Sequence, residues 1–295
     1  MNNTVFTGAG VAIVTPMYPD GSINYEQFGA NIDLQIAGGT DAIIVCGTTG
    51  ESSTMTDEEH IECIRFTVER VNKRIPVIAG TGSNDTAYAI ELSQEAERVG
   101  ADALLLVTPY YNKTSQRGLV AHFTAIADSV NIPIILYNVQ SRTGMNMTIQ
   151  TYVELAKHRN IVAVKEASGN IGYVAKIAGE CGDSLDIYSG NDDMIVPIMS
   201  LGGKGVISVL SNVMPKETHE IAQACLDNDF AKAGKLQLEY LELINNLFID
   251  VNPIPVKEAM NLMGLNCGEC RMPLYKMSEG DIETLRGSLK KYNLV

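Results

Sequence analysis

The sequence has 295 residues, and 45% of them are apolar, which is enough to bury a large hydrophobic core. Its 22 Lys and Arg residues against 35 Asp and Glu residues give a formal net charge of −13. This balance argues against a nucleic acid or an anionic membrane as partner, because both need clustered cations. The first residues lack the basic and apolar stretches of a signal peptide, and every apolar run is far shorter than a membrane span, so we expect a cytoplasmic protein.

Eight short apolar runs, rich in β-branched residues, follow one another along the chain. Unbroken apolar strands of this kind are typical of parallel sheets that are covered on both faces. The segments between the runs have helical features: Thr56 and Glu59 match a capping box, and the pattern of residues 85–99 stops at Gly100. The runs are 11–14, 42–46, 76–79, 103–107, 133–137, 161–164, 185–188 and 205–209.

Eight strand-then-helix units predict an α/β fold of the TIM (β/α)8 barrel type. A doubly wound sheet also alternates, but it usually has about five or six strands and a glycine fingerprint after the first. Here the first run ends at Thr15-Pro16. After residue 214 only helices are predicted, at 221–226, 230–248, 255–263 and 278–289. We therefore expect a barrel catalytic domain over residues 1–214 and a C-terminal helical extension over residues 215–295 that packs on the barrel.

Polar residues at the ends of the runs are candidates for the chemistry, because the reacting groups of such barrels lie at the carboxyl ends of the strands. Lys165 directly follows the sixth run. Burial disfavours the charged form of an amine, and a neutral amine can attack a ketone to form an imine. The alternative is an ordinary lysine that reaches out to solvent or pairs with Glu166.

Other strand-end residues suit the same chemistry. The hydroxyls of Thr49 and Tyr137 can relay the protons that imine formation moves. Arg142 offers two parallel donors to a carboxylate, and the turn from Gly47 to Gly50 can direct main-chain N–H groups at an anion. Alone, each has a plainer interpretation as a packed aromatic, a surface arginine or an ordinary turn; together they indicate one site.

A catalytic metal is not expected, because no pair of histidines has metal-ligand spacing beside a carboxylate cluster. The histidines are His60, His122, His158 and His219, all in helix-like segments. The six cysteines are interpreted as reduced core thiols, with Cys267-Gly-Glu-Cys270 as the exception. For that pair a loop coincidence is favoured over a zinc or redox role, because no second Cys or His pair lies nearby.

Three separated motifs carry a resemblance to a known family. They are Gly47-Thr-Thr-Gly-Glu51, Tyr137-Asn138-Val139 leading to Thr143-Gly144, and Val164-Lys165-Glu166. In order and spacing they resemble the signatures of the dihydrodipicolinate synthase / N-acetylneuraminate lyase family, and the match extends from Gly8 to about Val213. The resemblance supports the barrel and implies a lyase that forms a Schiff base with pyruvate.

The resemblance also implies roles for single residues. Lys165 would form the imine, and Tyr137 would act as general acid and base. Thr49 and Tyr111 would complete the proton relay, with Tyr111 supplied by the neighbouring subunit of a homotetramer built as a dimer of dimers. No cofactor would be needed, because the imine itself is the electron sink. The residues lining the pyruvate end would be Thr48, Thr49, Gly190 and Ile207.

Arg142 bears on the choice of substrate within the family. Members that use aspartate 4-semialdehyde keep an arginine here to hold its carboxylate, whereas the sugar-acid aldolases usually do not. The implied reaction is condensation of pyruvate with L-aspartate 4-semialdehyde to 4-hydroxy-tetrahydrodipicolinate, the first step of the lysine and diaminopimelate branch. Gln140 stands where the family usually has Pro. The alternatives are an N-acetylneuraminate or 2-keto-3-deoxygluconate lyase, a barrel that only binds a keto acid, and a cofactor-dependent barrel oxidoreductase.

Family members that are inhibited by lysine bind it at a dimer interface. Strongly responding members carry His where this chain has Asp57, and Glu where it has Tyr88. The loss of that glutamate removes an anion that would pair with an amino group of lysine, so we expect weak or absent inhibition. The residues that align with this allosteric site are Ser52, Ser53, Asp57, His60, Asn84, Tyr88 and Tyr110.

Overall fold

Eight parallel strands close into a barrel in the order of the sequence, so that β1 pairs with both β2 and β8. The computed structural model describes residues 4–295. The strands are β1 (Gly8–Ala12), β2 (Ala42–Val45), β3 (Val77–Gly80), β4 (Ala103–Val107), β5 (Ile134–Asn138), β6 (Ile161–Glu166), β7 (Asp186–Ser189) and β8 (Gly205–Ser208). The predicted (β/α)8 barrel is confirmed.

The predicted position of β1 was wrong by three residues at its start. The strand begins at Gly8 and ends at Ala12, whereas the apolar run starts at Val11. The first three residues of the strand are Gly, Ala and Gly, which have low strand propensity. Ile13 and Val14 are buried without belonging to the ladder. An apolar run indicates which residues are buried, and here the buried residues continue beyond the end of the strand.

An outer ring of helices covers the barrel. The capping box at the start of α2 is confirmed, since Thr56 and Glu59 make both reciprocal hydrogen bonds. The helices are α1 (Tyr25–Ala37), α2 (Asp57–Val71), α3 (Thr86–Arg98), α4 (Gln116–Asp128), α5 (Gln140–Thr143), α6 (Ile149–Leu155), α7 (Ile171–Cys181) and α8 (Ile195–Ser200). Within residues 4–295 no helix is long and apolar enough to cross a membrane.

Four helices follow the barrel, as predicted, although their bounds differ. They are α9 (Pro215–Leu226), α10 (Phe230–Asn246), α11 (Ile254–Leu262) and α12 (Glu279–Lys291). The predicted start of the first at residue 221 was too late, because a proline is well suited to the first helical turn and Pro215 occupies it. These helices share one hydrophobic core with Ala9 of β1 and Val206 of β8. That residue 214 divides two domains stays a prediction.

The interior of the barrel is filled by its own apolar cluster. Phe6 and Tyr188 stack with their ring centroids 4.4 Å apart, and the Tyr188 hydroxyl donates to the carbonyl of Phe6. Ile44, Ile135 and Ile207 pack in the same cluster. The interior of the barrel is therefore a packed core.

Candidate active site

Lys165 is the second-last residue of β6, at the carboxyl end of the strand. Its side chain is only 7% exposed, and it pairs in register with Tyr137 on one side and Tyr188 on the other. Residues in register on neighbouring parallel strands point to the same face of the sheet. All three side chains therefore form one inward-facing layer, with Lys165 Nζ 4.3 Å from the centre of the Tyr137 ring.

Glu166 points to the opposite face of the strand. Its carboxylate accepts hydrogen bonds from Asn138 Nδ2, the Tyr152 hydroxyl and the main-chain N–H of Ser168. Burial raises the pKa of Glu166 above its usual value, and these three donors oppose that shift. Glu166 is thus held away from Lys165, and the alternative of a Lys165–Glu166 ion pair is wrong.

A cavity of about 490 Å³ opens above Lys165 at the carboxyl ends of the strands. Six of the predicted site residues line it: Thr48, Thr49, Tyr137, Arg142, Lys165 and Gly190. A side chain at Gly190 would lie 2.6 Å from Cβ of Ala167, two residues after Lys165, so only glycine fits there. Ile207 lies in the interior cluster instead of the cavity wall.

The loop after β2 brings Thr48 and Thr49 to the cavity. Cys46 and Glu51, on either side of it, both have left-handed backbone conformations with φ of 56° and 57°. Within the loop the N–H groups of Gly50 and Glu51 bond to the carbonyls of Gly47 and Thr48. Non-glycine residues in this conformation are uncommon and costly, which indicates that the surroundings fix the shape of this loop.

Arg142 lies in α5, a single helical turn that the sequence did not predict. The turn starts at Gln140 and ends at Gly144, whose φ of 71° favours glycine and whose N–H bonds to the carbonyl of Gln140. The guanidinium of Arg142 donates to the main-chain carbonyl of Asn252, with an Nη2 to O distance of 2.9 Å. Gln140 in place of the family's usual proline is thus compatible with an ordered turn.

Two residues of the cavity wall were assigned no role from the sequence. One of them is Asp192, which comes shortly after the end of β7. Its Oδ2 accepts hydrogen bonds from the main-chain N–H groups of Val209 and Leu210. Its Oδ1 is buried and has no hydrogen-bond partner within residues 4–295. Burial raises the pKa of Asp192, opposed by these bonds, by Ser208 and by the charge of Lys165. Asn252 comes from the connection between α10 and α11, and no local motif marks it.

Comparison with known proteins identifies the family. The chain matches the Dihydrodipicolinate synthetase family over residues 5–292. It belongs to this family. A curated 4-hydroxy-tetrahydrodipicolinate synthase of Thermoanaerobacter sp. is 60% identical over 292 residues, which are 99% of this chain and 98% of the relative. That of Acetivibrio thermocellus is 56% identical over 295 residues and the full length of both chains.

A solved structure of the family agrees with the whole fold. The chloride-inhibited dihydrodipicolinate synthase of Acinetobacter baumannii, solved in complex with pyruvate, matches this chain with a TM-score of 0.97 and 42% identity. The match covers 99% of this chain and all of the other. The barrel and the C-terminal helices of this chain are therefore both features of the dihydrodipicolinate synthetase family.

Tyr111 lies outside the cavity of its own chain. Its side chain is 91% exposed, and its backbone is left-handed, with a φ of 64°. Two bonds hold the loop around it: Asn112 Nδ2 donates to the carbonyl of Asn84, and Asn84 Nδ2 donates to the carbonyl of Tyr110. A fixed loop thus presents a large aromatic side chain to the outside.

A second cavity, of about 460 Å³, adjoins the first and shares Thr48, Tyr137 and Arg142 with it. Of the residues predicted for a family lysine site, Ser52, Ser53, His60, Tyr88 and Tyr110 line this cavity. The remaining two contact that set, since Asp57 accepts a hydrogen bond from the Tyr88 hydroxyl at 2.8 Å and Asn84 donates to the carbonyl of Tyr110. Burial, together with the Asp57 carboxylate, raises the pKa of Tyr88 to about 12.

The histidines and cysteines have structural contacts. His60 bonds to the carbonyl of Gly80, and His219 bonds to the carboxylate of Asp41. The six cysteines, including Cys267 and Cys270, are unpaired thiols. In the part of the chain that the structure describes, no three His, Cys, Asp or Glu side chains are grouped closely enough to hold a metal ion.

Proposed function

We propose that this chain is a lyase that condenses pyruvate with L-aspartate 4-semialdehyde and releases 4-hydroxy-tetrahydrodipicolinate, the first step of the lysine and diaminopimelate branch. One observation carries the proposal: a buried lysine lies at the floor of a cavity, and an arginine lies in the wall of the same cavity. The lysine suits a keto acid and the arginine suits the carboxylate of a second substrate.

The reaction begins at Lys165. Its neutral amine attacks the keto carbon of pyruvate, and loss of water gives an imine. Loss of a proton from the methyl carbon then gives an enamine, which attacks the aldehyde carbon of the second substrate. The amine of that substrate finally attacks the former keto carbon, closes the ring and releases Lys165.

Protons must move at each of these steps. Tyr137 is placed to exchange them, because it belongs to the same inward-facing layer as Lys165 and lines the cavity. Thr49 continues the relay, and Tyr111 of a neighbouring subunit completes it. The 91% exposure of Tyr111 supports this last role, because the side chain has no place in the cavity of its own chain. The cation Arg142 binds the carboxylate of the aldehyde, while Thr48 and Gly190 bound the pyruvate end.

The sugar-acid lyases of the same family would share Lys165 and Tyr137. Arg142 favours a second substrate with a free carboxylate, and the relatives at 60% and 56% identity are named as synthases. The grouping of Thr49, Tyr137 and Lys165 in one cavity, as a proton relay to an imine requires, argues against a barrel that only binds a keto acid. We also propose a homotetramer, built as a dimer of dimers, in the cytoplasm.

Borohydride reduction in the presence of pyruvate tests the chemistry. Intact mass and peptide mapping should find one pyruvate-derived adduct on Lys165 in the wild type and in Arg142→Ala, but none in Lys165→Ala. Lys176→Ala, which removes an exposed lysine of α7, is the matched control and should be labelled on Lys165 like the wild type. Absence of any adduct would show that the Schiff-base mechanism is wrong.

The same preparations test the second substrate. In Arg142→Ala, kcat/KM for aspartate 4-semialdehyde should fall about 10- to 100-fold, the effect of one lost hydrogen-bonded ion pair. Arg159→Ala, an exposed arginine before β6 and so at the opposite end of the barrel, should keep the wild-type value. An adduct on Lys165 without turnover of this aldehyde would instead indicate a sibling aldolase.

A further inference from the structure

Asn252 contacts two predicted site residues that follow different strands, Thr49 after β2 and Arg142 after β5. It lies in the connection between α10 and α11, is 6% exposed and lines the first cavity. Its Nδ2 donates to Thr49 Oγ1 at 3.0 Å, and its main-chain carbonyl accepts from Arg142 Nη2 at 2.9 Å. One residue of the C-terminal helical region thus joins the group assigned to proton transfer and the group assigned to substrate binding.

The bond to Thr49 determines where the threonine proton can go. A hydroxyl has one proton to donate and two lone pairs that accept. Because Asn252 Nδ2 has no acceptor role, it can only donate, and it occupies a lone pair of Thr49 Oγ1. The Thr49 proton remains free for an acceptor elsewhere, which is what a relay towards Tyr137 requires.

A second contact fixes the same two segments against each other. Lys257 of α11 and Glu51, two residues after Thr49, form an ion pair with an Nζ to Oε1 distance of 2.8 Å. Both side chains are almost fully buried, with exposures of 2% and 1%, and Lys257 Nζ also donates to the carbonyl of Glu269. A buried ion pair with these additional bonds strongly opposes separation of its partners. This ion pair and the Asn252–Thr49 bond therefore hold the same two segments against each other.

The other end of the Asn252 amide is left without a bond. Asn252 Oδ1 is buried and has no hydrogen-bond partner within residues 4–295. Buried polar atoms without partners are rare, because each forfeits the hydrogen bonds that water would give it. The hydrogen bonds of this amide are thus incomplete, and within residues 4–295 the bond to Thr49 is the one hydrogen bond of its side chain.

We propose that Asn252 is a positioning residue of the active site. Its amide orients the hydroxyl of Thr49 for proton transfer, and its main-chain carbonyl fixes the guanidinium of Arg142 at the cavity wall. The proposal rests on the function proposed above, because it assigns Asn252 an effect through Thr49 and Arg142.

Asn252→Asp is the most informative variant, because it keeps the shape and the main-chain carbonyl. An ionised carboxylate would accept the Thr49 proton and remove it from the relay, so kcat at neutral pH should fall about 10- to 100-fold. Burial raises the pKa of such a carboxyl, and once protonated it can donate to Thr49 again. The ratio of kcat for Asn252→Asp to kcat for the wild type should therefore rise as the pH falls from neutral to about 5.

Two controls separate positioning from a structural effect. Asn228→Asp introduces the same charge on an exposed side chain between α9 and α10, away from the cavity and from Thr49, and kcat should stay within about twofold of the wild type. In a Thr49→Val background, Asn252→Asp should cause no further loss, because residues that act through one another are not additive. If Asn252→Asp does not fold, Asn252→Ala takes its place in this second comparison.

A loss in Asn252→Asp that is the same at every pH, or that adds in full to the loss in Thr49→Val, would overturn the proposal. So would a kcat equal to that of the wild type. Borohydride trapping of pyruvate distinguishes these failures from a failure of the proposed function: the wild type and Asn252→Asp should both form the Lys165 adduct, and a wild type that forms none would refute the Schiff-base mechanism itself.

Discussion

Lys165 and Glu166 are neighbours in the sequence with opposite surroundings in the fold. The alternation of side chains along β6 sends Lys165 into the cavity and Glu166 into a set of hydrogen bonds outside the barrel. Asp192 is then the buried carboxylate on the cavity side whose pKa is influenced by the charge of Lys165. The carboxylate that interacts with the charge of Lys165 therefore belongs to Asp192, which is distant in the sequence, and not to the neighbouring Glu166.

Asp192→Asn should stabilise the protein at neutral pH. The raised pKa of Asp192 means that the unfolded chain ionises first as the pH rises, so the wild type loses stability between the usual pKa of aspartate and the raised one. An asparagine avoids this loss, which is about 1.4 kcal/mol for each unit of pKa shift. Thermal unfolding from pH 3 to pH 8 should show a melting-temperature difference that is absent in acid and grows with pH.

The same substitution should lower activity. The imine on Lys165 is cationic when protonated, and a carboxylate in the cavity stabilises it, so kcat should fall about tenfold. Asp183→Asn is the matched control, since Asp183 is exposed and precedes β7, at the end of the strand opposite the cavity; it should change neither stability nor kcat. An Asp192→Asn variant that is less stable than the wild type at neutral pH, but not in acid, would contradict the assigned pKa direction.

Residues at the ends of strands could be predicted from the sequence, but contacts between distant segments could not. Lys165 and Thr49 were found because each comes after an apolar run, and Tyr137 because it ends one, since parallel strands bring their carboxyl ends together. Gly190 was found through the family resemblance. Asn252 lies in a connection between helices, and its distance from Thr49 depends on how the last four helices pack. No local periodicity encodes that packing.

At the scale of helices, the start of α2 is tied to the C-terminal region through Arg271. The guanidinium of Arg271 donates to both carboxylate oxygens of Glu59, at 2.7 Å and 2.5 Å. These bonds lower the pKa of Glu59 despite partial burial, and the same carboxylate completes the capping box with Thr56. The ion pair therefore adds a tertiary contact to a cap that would otherwise be local.

Glu59→Gln should keep the cap and lose the ion pair, because glutamine also serves in a capping box. A lowered pKa contributes stability that is present above the usual pKa of glutamate and is lost as the pH falls through the lowered value. We expect a loss of about 1 kcal/mol or less at pH 7, given the partly exposed pair.

Melting temperatures of Glu59→Gln and the wild type should converge in acid, once the pH is below the lowered pKa of Glu59. Glu58→Gln, an exposed neighbour in the same helical turn, should match the wild type throughout. A deficit of Glu59→Gln that persists unchanged in acid would mean that the ion pair is not its cause.

At the scale of the whole molecule, the exposure of Tyr111 predicts that active sites are shared between subunits. Lys165→Ala and Tyr111→Phe should each have little activity alone. Mixed after reversible dissociation, they should recover about a quarter of wild-type activity, because random pairing gives one intact site in half of the dimers. Mass spectrometry should confirm that mixed dimers have formed. If these mixed dimers recover no activity, Tyr111 is not part of the proton relay.

The second cavity predicts the response to lysine. Asp57 is already bonded to the Tyr88 hydroxyl, and position 88 carries no carboxylate for an incoming amino group. Sub-millimolar L-lysine should therefore change the initial rate by less than about twofold. Tyr88→Glu frees Asp57 and adds an anion, so it should increase sensitivity. Strong inhibition of the wild type by sub-millimolar L-lysine would contradict this prediction.

The stacked rings of Phe6 and Tyr188 have a consequence for the order of events in catalysis. They belong to the packed cluster that fills the barrel, and this cluster closes Lys165 off from the amino ends of the strands. In the proposed reaction pyruvate bonds to Lys165 at the floor of the cavity, so it has to enter before the larger aldehyde fills the space above the lysine. A solid floor beneath the lysine thus imposes an order of entry on the two substrates.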